Sequence, residues 1–141
     1  MAEPPSSAGE SLERGSLYRL VPNWKGFWDY SVGRPEPRAF RKDADGGVSM
    51  IIKERLSIEG IIAIKPHVAP FAVCEFLVEE LVAADGVWVK LDFDPDGFGD
   101  AHVSVMGITK RRVDWLRDLA LRRIVKAPGP EKPDDRLTAA T

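Results

Sequence analysis

Residues Gly86 to Ile108 read GVWVKLDFDPDGFGDAHVSVMGI, two strand-like runs joined by an acidic turn, and this pattern decides the fold class. In the first run Val87, Val89, Leu91 and Phe93 alternate with Trp88, Lys90 and Asp92, the period of two that marks a strand with one buried face. In the second, His102, Ser104 and Met106 share one face while Val103, Val105 and Gly107 take the other. His102 is therefore expected to point away from the apolar side. Pro95, Gly97 and Gly99 disfavour regular structure between the runs and predict a turn. An antiparallel pair is the economical reading, although the connection is longer than a tight hairpin needs.

Outward from this pair, Ser16 to Val21 (SLYRLV) predicts a first strand stopped at Pro22, and VSMIIK after Gly46 and Gly47 predicts a second. The stretch LSIEGIIAIK from Leu56 to Lys65 fits either a short helix or a strand. Its β-branched run favours a strand for the second half. Between Phe71 and Ala84, Phe71, Cys74, Leu77, Val78, Leu81 and Val82 fit helical spacing, with Gly86 as a stop. Periodicity alone does not exclude FAVCEFLV, its front half, as a buried strand before a shorter helix. Thr109 is a plausible N-cap for a basic helix that turns Val113, Leu116, Ala120 and Ile124 inward, with either Trp115 or Leu119. The fold class expected is α+β: one domain, a mainly antiparallel sheet of four to five strands, and two helices on one face.

The boundaries follow from composition. Residues 1–15 are rich in Pro, Ser, Gly and Glu and read as a flexible tail, as do residues 128–141 with Pro128, Gly129, Pro130 and Pro133. The folded domain is placed at residues 16–127. Hydrophobic residues at 44% and charged residues at 30% are ordinary for a soluble domain. No apolar run reaches the roughly 20 residues of a membrane span, and the N-terminus lacks the basic start and apolar core of a signal peptide. Cys74, the single cysteine, excludes an intramolecular disulfide and a multi-cysteine zinc site. A reducing cytoplasm is the compartment expected.

The net charge of −2 is unevenly spread. Lys110 to Lys126 holds seven basic residues against Asp114 and Asp118, which points to complementarity within the domain or with a second copy. A pI of about 5.7 with one basic segment argues against nucleic acid as the partner.

Leu17-Tyr18-Arg19 with Pro22, Arg34-Pro35 leading to Ala39-Phe40-Arg41, Gly47 with Ser49, and Asp94-Pro95 before Ala101-His102 form an ordered pattern over about two-thirds of the chain. It resembles that of a group of small, functionally uncharacterised bacterial proteins. The resemblance implies an α+β fold and a bacterial source, and a strand within Phe71 to Ala84. It implies no mechanism.

Several constellations invite chemistry. Asp92, Asp94, Asp96, Gly97 and Asp100 match the opening of a calcium loop, but the twelfth position is Val103 where a bidentate glutamate belongs, and Pro95 stiffens the turn. A solvated acidic turn is the better reading, and no metal or cofactor is assigned. Cys74 and His102 suggest a cysteine hydrolase, with Asp100 or Asp114 to orient the imidazole. Cys74 sits among Phe71, Val73, Phe76 and Leu77, as a buried hydrophobe does. Arg19, Ser49 and an acidic residue such as Glu59 loosely match the layout of ADP-ribosyltransferase-like enzymes, where arginine holds dinucleotide phosphates. His67, between Pro66 and Pro70, reads as a loop residue.

Trp24, Phe27, Trp28 and Tyr30 lie within seven residues and read as a lid over the core or, if exposed, a protein-contact surface. Ser31 to Asp45 is a long basic loop with Arg34, Arg38, Arg41 and Lys42. The function expected is a small cytoplasmic binding or accessory protein acting through protein contacts. The binding residues expected are Arg19, Trp24, Trp28, Arg34, Ser49 and His102. An ADP-ribosyltransferase-like or Cys/His hydrolytic enzyme is the alternative.

Overall fold

The computed structural model describes residues 10–43 and 46–133. Its centre is a seven-stranded antiparallel sheet of order β1-β7-β8-β5-β2-β6-β9. These strands are β1 (Ser11–Leu12), β2 (Ser16–Val21), β5 (Val48–Ile52), β6 (Ala72–Leu77), β7 (Trp88–Leu91), β8 (His102–Met106) and β9 (Ile124–Lys126). A separate two-stranded ribbon pairs β3 (Trp28–Asp29) with β4 (Arg34–Pro35). Three helices complete the described fold: α1 (Ile58–Ile64), α2 (Val78–Val82) and α3 (Val113–Ala120).

The α+β class and the antiparallel sheet match expectation, but the sheet has seven strands rather than four or five, and the helices lie on both faces. Strand alternation explains the two-sided burial. On one face Leu17, Val21, Val48, Met50, Ile52, Cys74, Phe76, Val89, Val103 and Val105 meet Trp28, Phe40, Val78 and Leu81 of α2, and Leu116 of α3. On the other, Tyr18, Ile51 and Val73 meet Ile61 of α1, Val68 and Ala101. β6 is thus buried from both sides, which gives it the near-continuous apolar run that also fits a helix.

The strands β7 and β8 fall within the runs expected, with Val89 opposite Val105 and Lys90 opposite Ser104. Two local readings are corrected and one left open is resolved. Phe71 to Ala84 is not one helix: β6 ends at Leu77 and α2 follows directly. Ile58–Ile64 is helix throughout, because the Ser57 side chain accepts from the Gly60 N–H at 3.0 Å. This N-cap, with Glu59 in the first turn, outweighs the modest helix penalty of the isoleucines. The basic helix ends at Ala120, and Ile124 lies in β9 against Cys74. Thr109 caps only the 3-10 turn Lys110–Arg112 that precedes α3, and its side chain makes no capping bond.

Order extends past residues 16–127 at both ends. Ser11 and Leu12 pair with Lys90 and Val89, and Gly129 N donates to Pro70 O at 2.8 Å. Residues 1–9 and 134–141 lie outside the described residues. The charge asymmetry is partly internal: Glu80 on α2 takes Arg122 at 2.7 Å and Arg123 at 2.6 Å. Among the described residues, no helix is long and apolar enough to cross a membrane.

Candidate functional site

The basic loop is built, not irregular. Beyond the β3–β4 ribbon, Pro37–Phe40 forms a 3-10 turn whose Ala39 and Phe40 are wholly buried. The Phe40 ring meets Phe76 edge-on at 6.1 Å, and α3 packs against the turn. Arg19 fastens the turn to the sheet, its Nε donating to Ala39 O at 2.9 Å and its NH1 to Ser49 O at 2.8 Å. Burial lowers the Arg19 pKa, and Asp43 acts in the opposite direction. Asp43 also accepts from Ser49 N at 3.1 Å, and its own N–H donates to Gly47 O at 2.7 Å. The chain leaving the turn is held at both ends.

Between this anchored wall and the start of α3 lies an open cleft of about 530 Å³, lined by Pro37, Arg41, Lys42, Ile108, Lys110, Val113 and Asp114. Ile108 and Val113 are buried and belong to the core, so they make a rigid apolar floor. Arg41, Lys42 and Lys110 are exposed at the rim, with Asp114 as the one carboxylate of the lining. A mixed apolar and cationic cleft of this kind suits an extended acidic ligand with apolar side chains.

The site residues read from sequence are dispersed. Arg19 and Trp28 serve the interior: Trp28 is 5% exposed and lies in the core, which leaves it no contact surface. Arg34 is exposed on the ribbon opposite Asp29. Trp24 is exposed beside Phe27 and Phe71. The Ser49 side chain is on the sheet face opposite Arg19, since Val48 and Met50 flank it in the core that Leu17 and Val21 share. Arg19, Ser49 and Glu59 therefore do not converge.

Cys74 and His102 are also separated. They lie on opposite faces, three strand spacings apart in the sheet, or about 14 Å at the usual strand spacing. Burial pushes the Cys74 thiol up to about 12, with Arg19 acting the other way. A thiol held protonated is a poor nucleophile.

His102 belongs instead to a small polar cluster at the end of the central pair that the acidic turn closes. Its Nδ1 lies 2.7 Å from Asp92 O, an acceptor only, so in the neutral ring Nδ1 carries the proton. Ser104 Oγ donates to Asp92 Oδ2 at 2.9 Å. Serine, histidine and aspartate are all present, yet serine bonds the carboxylate and not the imidazole, so the relay of a hydrolytic triad is not formed. Asp100, expected near His102, presents its carbonyl to Arg55 NH1 at 2.8 Å. In the acidic turn Asp94 Oδ2 accepts from Phe98 N at 3.3 Å. Among the described residues no group of three or more His, Cys, Asp or Glu could hold a metal ion.

Sequence reasoning singled out Arg41 and Lys42 only as part of a basic loop and missed Pro37, Ile108, Lys110 and Val113. The signal available was the pairing of basic residues with buried apolar neighbours in Ile108 to Val113. In comparison with known proteins, no family model, no curated protein and no solved structure matches the chain.

Proposed function

We propose that the protein is a small binding module whose cleft between the Pro37–Lys42 segment and the start of α3 takes an acidic peptide segment of a partner protein. The reading rests on one observation: Arg41, Lys42 and Lys110 rim a cleft floored by Ile108 and Val113. The apolar floor accepts one or two side chains, and the three cations select acidic flanks. Arg19 and Phe40 act as positioning residues, since they hold the wall that carries Arg41 and Lys42.

The test is fluorescence anisotropy of a labelled peptide of alternating glutamate and leucine, beside its glutamine counterpart. Binding of the acidic peptide should weaken steeply with salt. Each exposed ion pair is worth about 0.2–1 kcal/mol, so Arg41→Glu, Lys42→Glu and Lys110→Glu together should lower affinity about tenfold or more. Equal binding of both peptides, or a triple variant that binds like the parent, would overturn the reading.

A further inference from the structure

A second groove, remote in its contacts from the basic cleft, already holds a ligand-like segment of this chain. Residues 127–133 read APGPEKP and run without helix or strand across Asn23, Trp24, His67, Pro70 and Phe71, beside an open hollow of about 440 Å³. Three prolines in seven residues remove three backbone donors and favour an extended, polyproline-like path. Such a segment is recognised through its carbonyl oxygens and along aromatic surfaces, and the groove supplies side-chain donors to two carbonyls and the Trp24 face. Tyr30 OH donates to Gly129 O at 2.8 Å, and Asn23 Nδ2 to Pro130 O at 2.8 Å. The segment in turn donates Gly129 N to Pro70 O and Lys132 N to the Asn23 carbonyl, both at 2.8 Å. Lys132 Nζ sits 5.3 Å from the centre of the Trp24 ring, a cation over an aromatic face.

Part of the groove is held by contacts that do not involve the segment. Trp24 is fixed edge-on by Phe27 at 5.5 Å and by Phe71 at 5.9 Å. Trp24 and Tyr30 each remain 38% exposed with the segment in place. Aromatic platforms with side-chain donors aimed at successive carbonyls are the general solution for docking a proline-rich strand.

We propose that this groove is a binding site for a proline-rich extended segment of a partner protein, and that residues 127–133 are its internal occupant, displaced when the partner binds. Tethering gives the internal segment a high effective concentration, so an incoming peptide meets a competitor built into the chain. Gly129 is the place to loosen that competitor without replacing a groove residue. A Cβ there would lie 3.2 Å from Pro70 Cβ and 3.6 Å from Pro70 Cα, and the branched side chain of valine would crowd them further.

The experiment uses the full chain and, as probe, a labelled peptide of sequence Ala-Pro-Gly-Pro-Glu-Lys-Pro. Anisotropy and the indole NMR signal of Trp24 are followed up to millimolar peptide. The parent should bind weakly and Gly129→Val at least tenfold more tightly. Adding Tyr30→Phe to that variant, which removes only the hydroxyl, should weaken binding severalfold, and adding Trp24→Ala should abolish it while thermal melting shows a folded protein. Three outcomes would overturn the proposal: no Trp24 shift in the parent or in Gly129→Val, equal binding of a probe with its prolines replaced by alanine, or peptide-independent dimers of Gly129→Val, which would assign the groove to the tail of a second copy. None of these results bears on the acidic-peptide cleft.

Discussion

Two connections in this molecule have opposite characters. The acidic turn from Asp92 to Ala101 carries the residues that look most like chemistry, and it spends them on itself. Asp94 bonds Phe98 N, a bridge closes Asp94 onto Gly99, and Asp92 takes Ser104. The segment from Pro22 to Asp43 looks like a proline-broken loop, yet it supplies Trp28, Ala39 and Phe40 to the core. It also leaves Arg41 and Lys42 exposed over an apolar floor. A loop is available for binding according to what its backbone and core contacts leave over, and the count of charged residues is a poor guide to that remainder.

The sharpest way to break the comparison is through the core. Phe40→Ala should destabilise by about 3–5 kcal/mol, the range for a buried phenylalanine. It should also cost acidic-peptide affinity in the remaining folded protein, because the wall under Arg41 loses its anchor. Urea denaturation and peptide anisotropy measure the two effects. A Phe40→Ala protein of parental stability would mean that the segment is only draped on the core.

The acidic turn should respond far less. Asp94→Ala removes one side-chain bond at a site the backbone bridge also closes, so about 1 kcal/mol is expected by the same denaturation measurement. The acidic-peptide affinity should not move. A loss as large as that of Phe40→Ala would erase the distinction between the two connections.

The smallest effect is a titration. Asp29 Oδ1 accepts from Ser31 Oγ at 2.6 Å and Ser31 N at 2.9 Å. The hydroxyl bond is the larger cause and the amide bond the next, and together they lower the Asp29 pKa from its ordinary 3.8. With the folded value depressed, the unfolded chain binds more protons in the window below about 3.8, so the contribution is present above it and is lost as pH falls. The stability difference between the parent and Asp29→Asn should therefore be constant near neutrality and shrink on acidification. A difference that stays flat from pH 6 to pH 2 would remove the Ser31 bonds from the account.

Much of the frame was legible from periodicity. Val87 to Leu91 and His102 to Met106 alternate cleanly because each strand has one apolar core face, and Ser16–Val21 is a short apolar run ended by Pro22. Periodicity was ambiguous where burial is two-sided. Ala72–Leu77 packs against α3 on one face and against the Tyr18 and Val68 cluster on the other, which removes the polar alternation a strand normally shows. At Ile58–Ile64 the β-branched run favours a strand, whereas the segment is a helix capped by Ser57 with Glu59 in its first turn. The cleft was less legible still, since Lys42 and Lys110 meet only through the strand order. Nothing local in either segment reveals that β5 and β8 are neighbours.

That order has a consequence for dissecting the protein. From β8 to β6 the central strands are neighbours in space but interleaved along the chain, with β8 beside β5 and β2 between β5 and β6. Any fragment ending before His102 strips β5 of β8, and any fragment starting after Val21 strips β5 and β6 of β2, the neighbour they share. The molecule therefore has no severable half. A split-protein reporter cut at the turn around Asp96 should regain its fold only when both pieces are present together, and such a cut makes reassembly itself the signal.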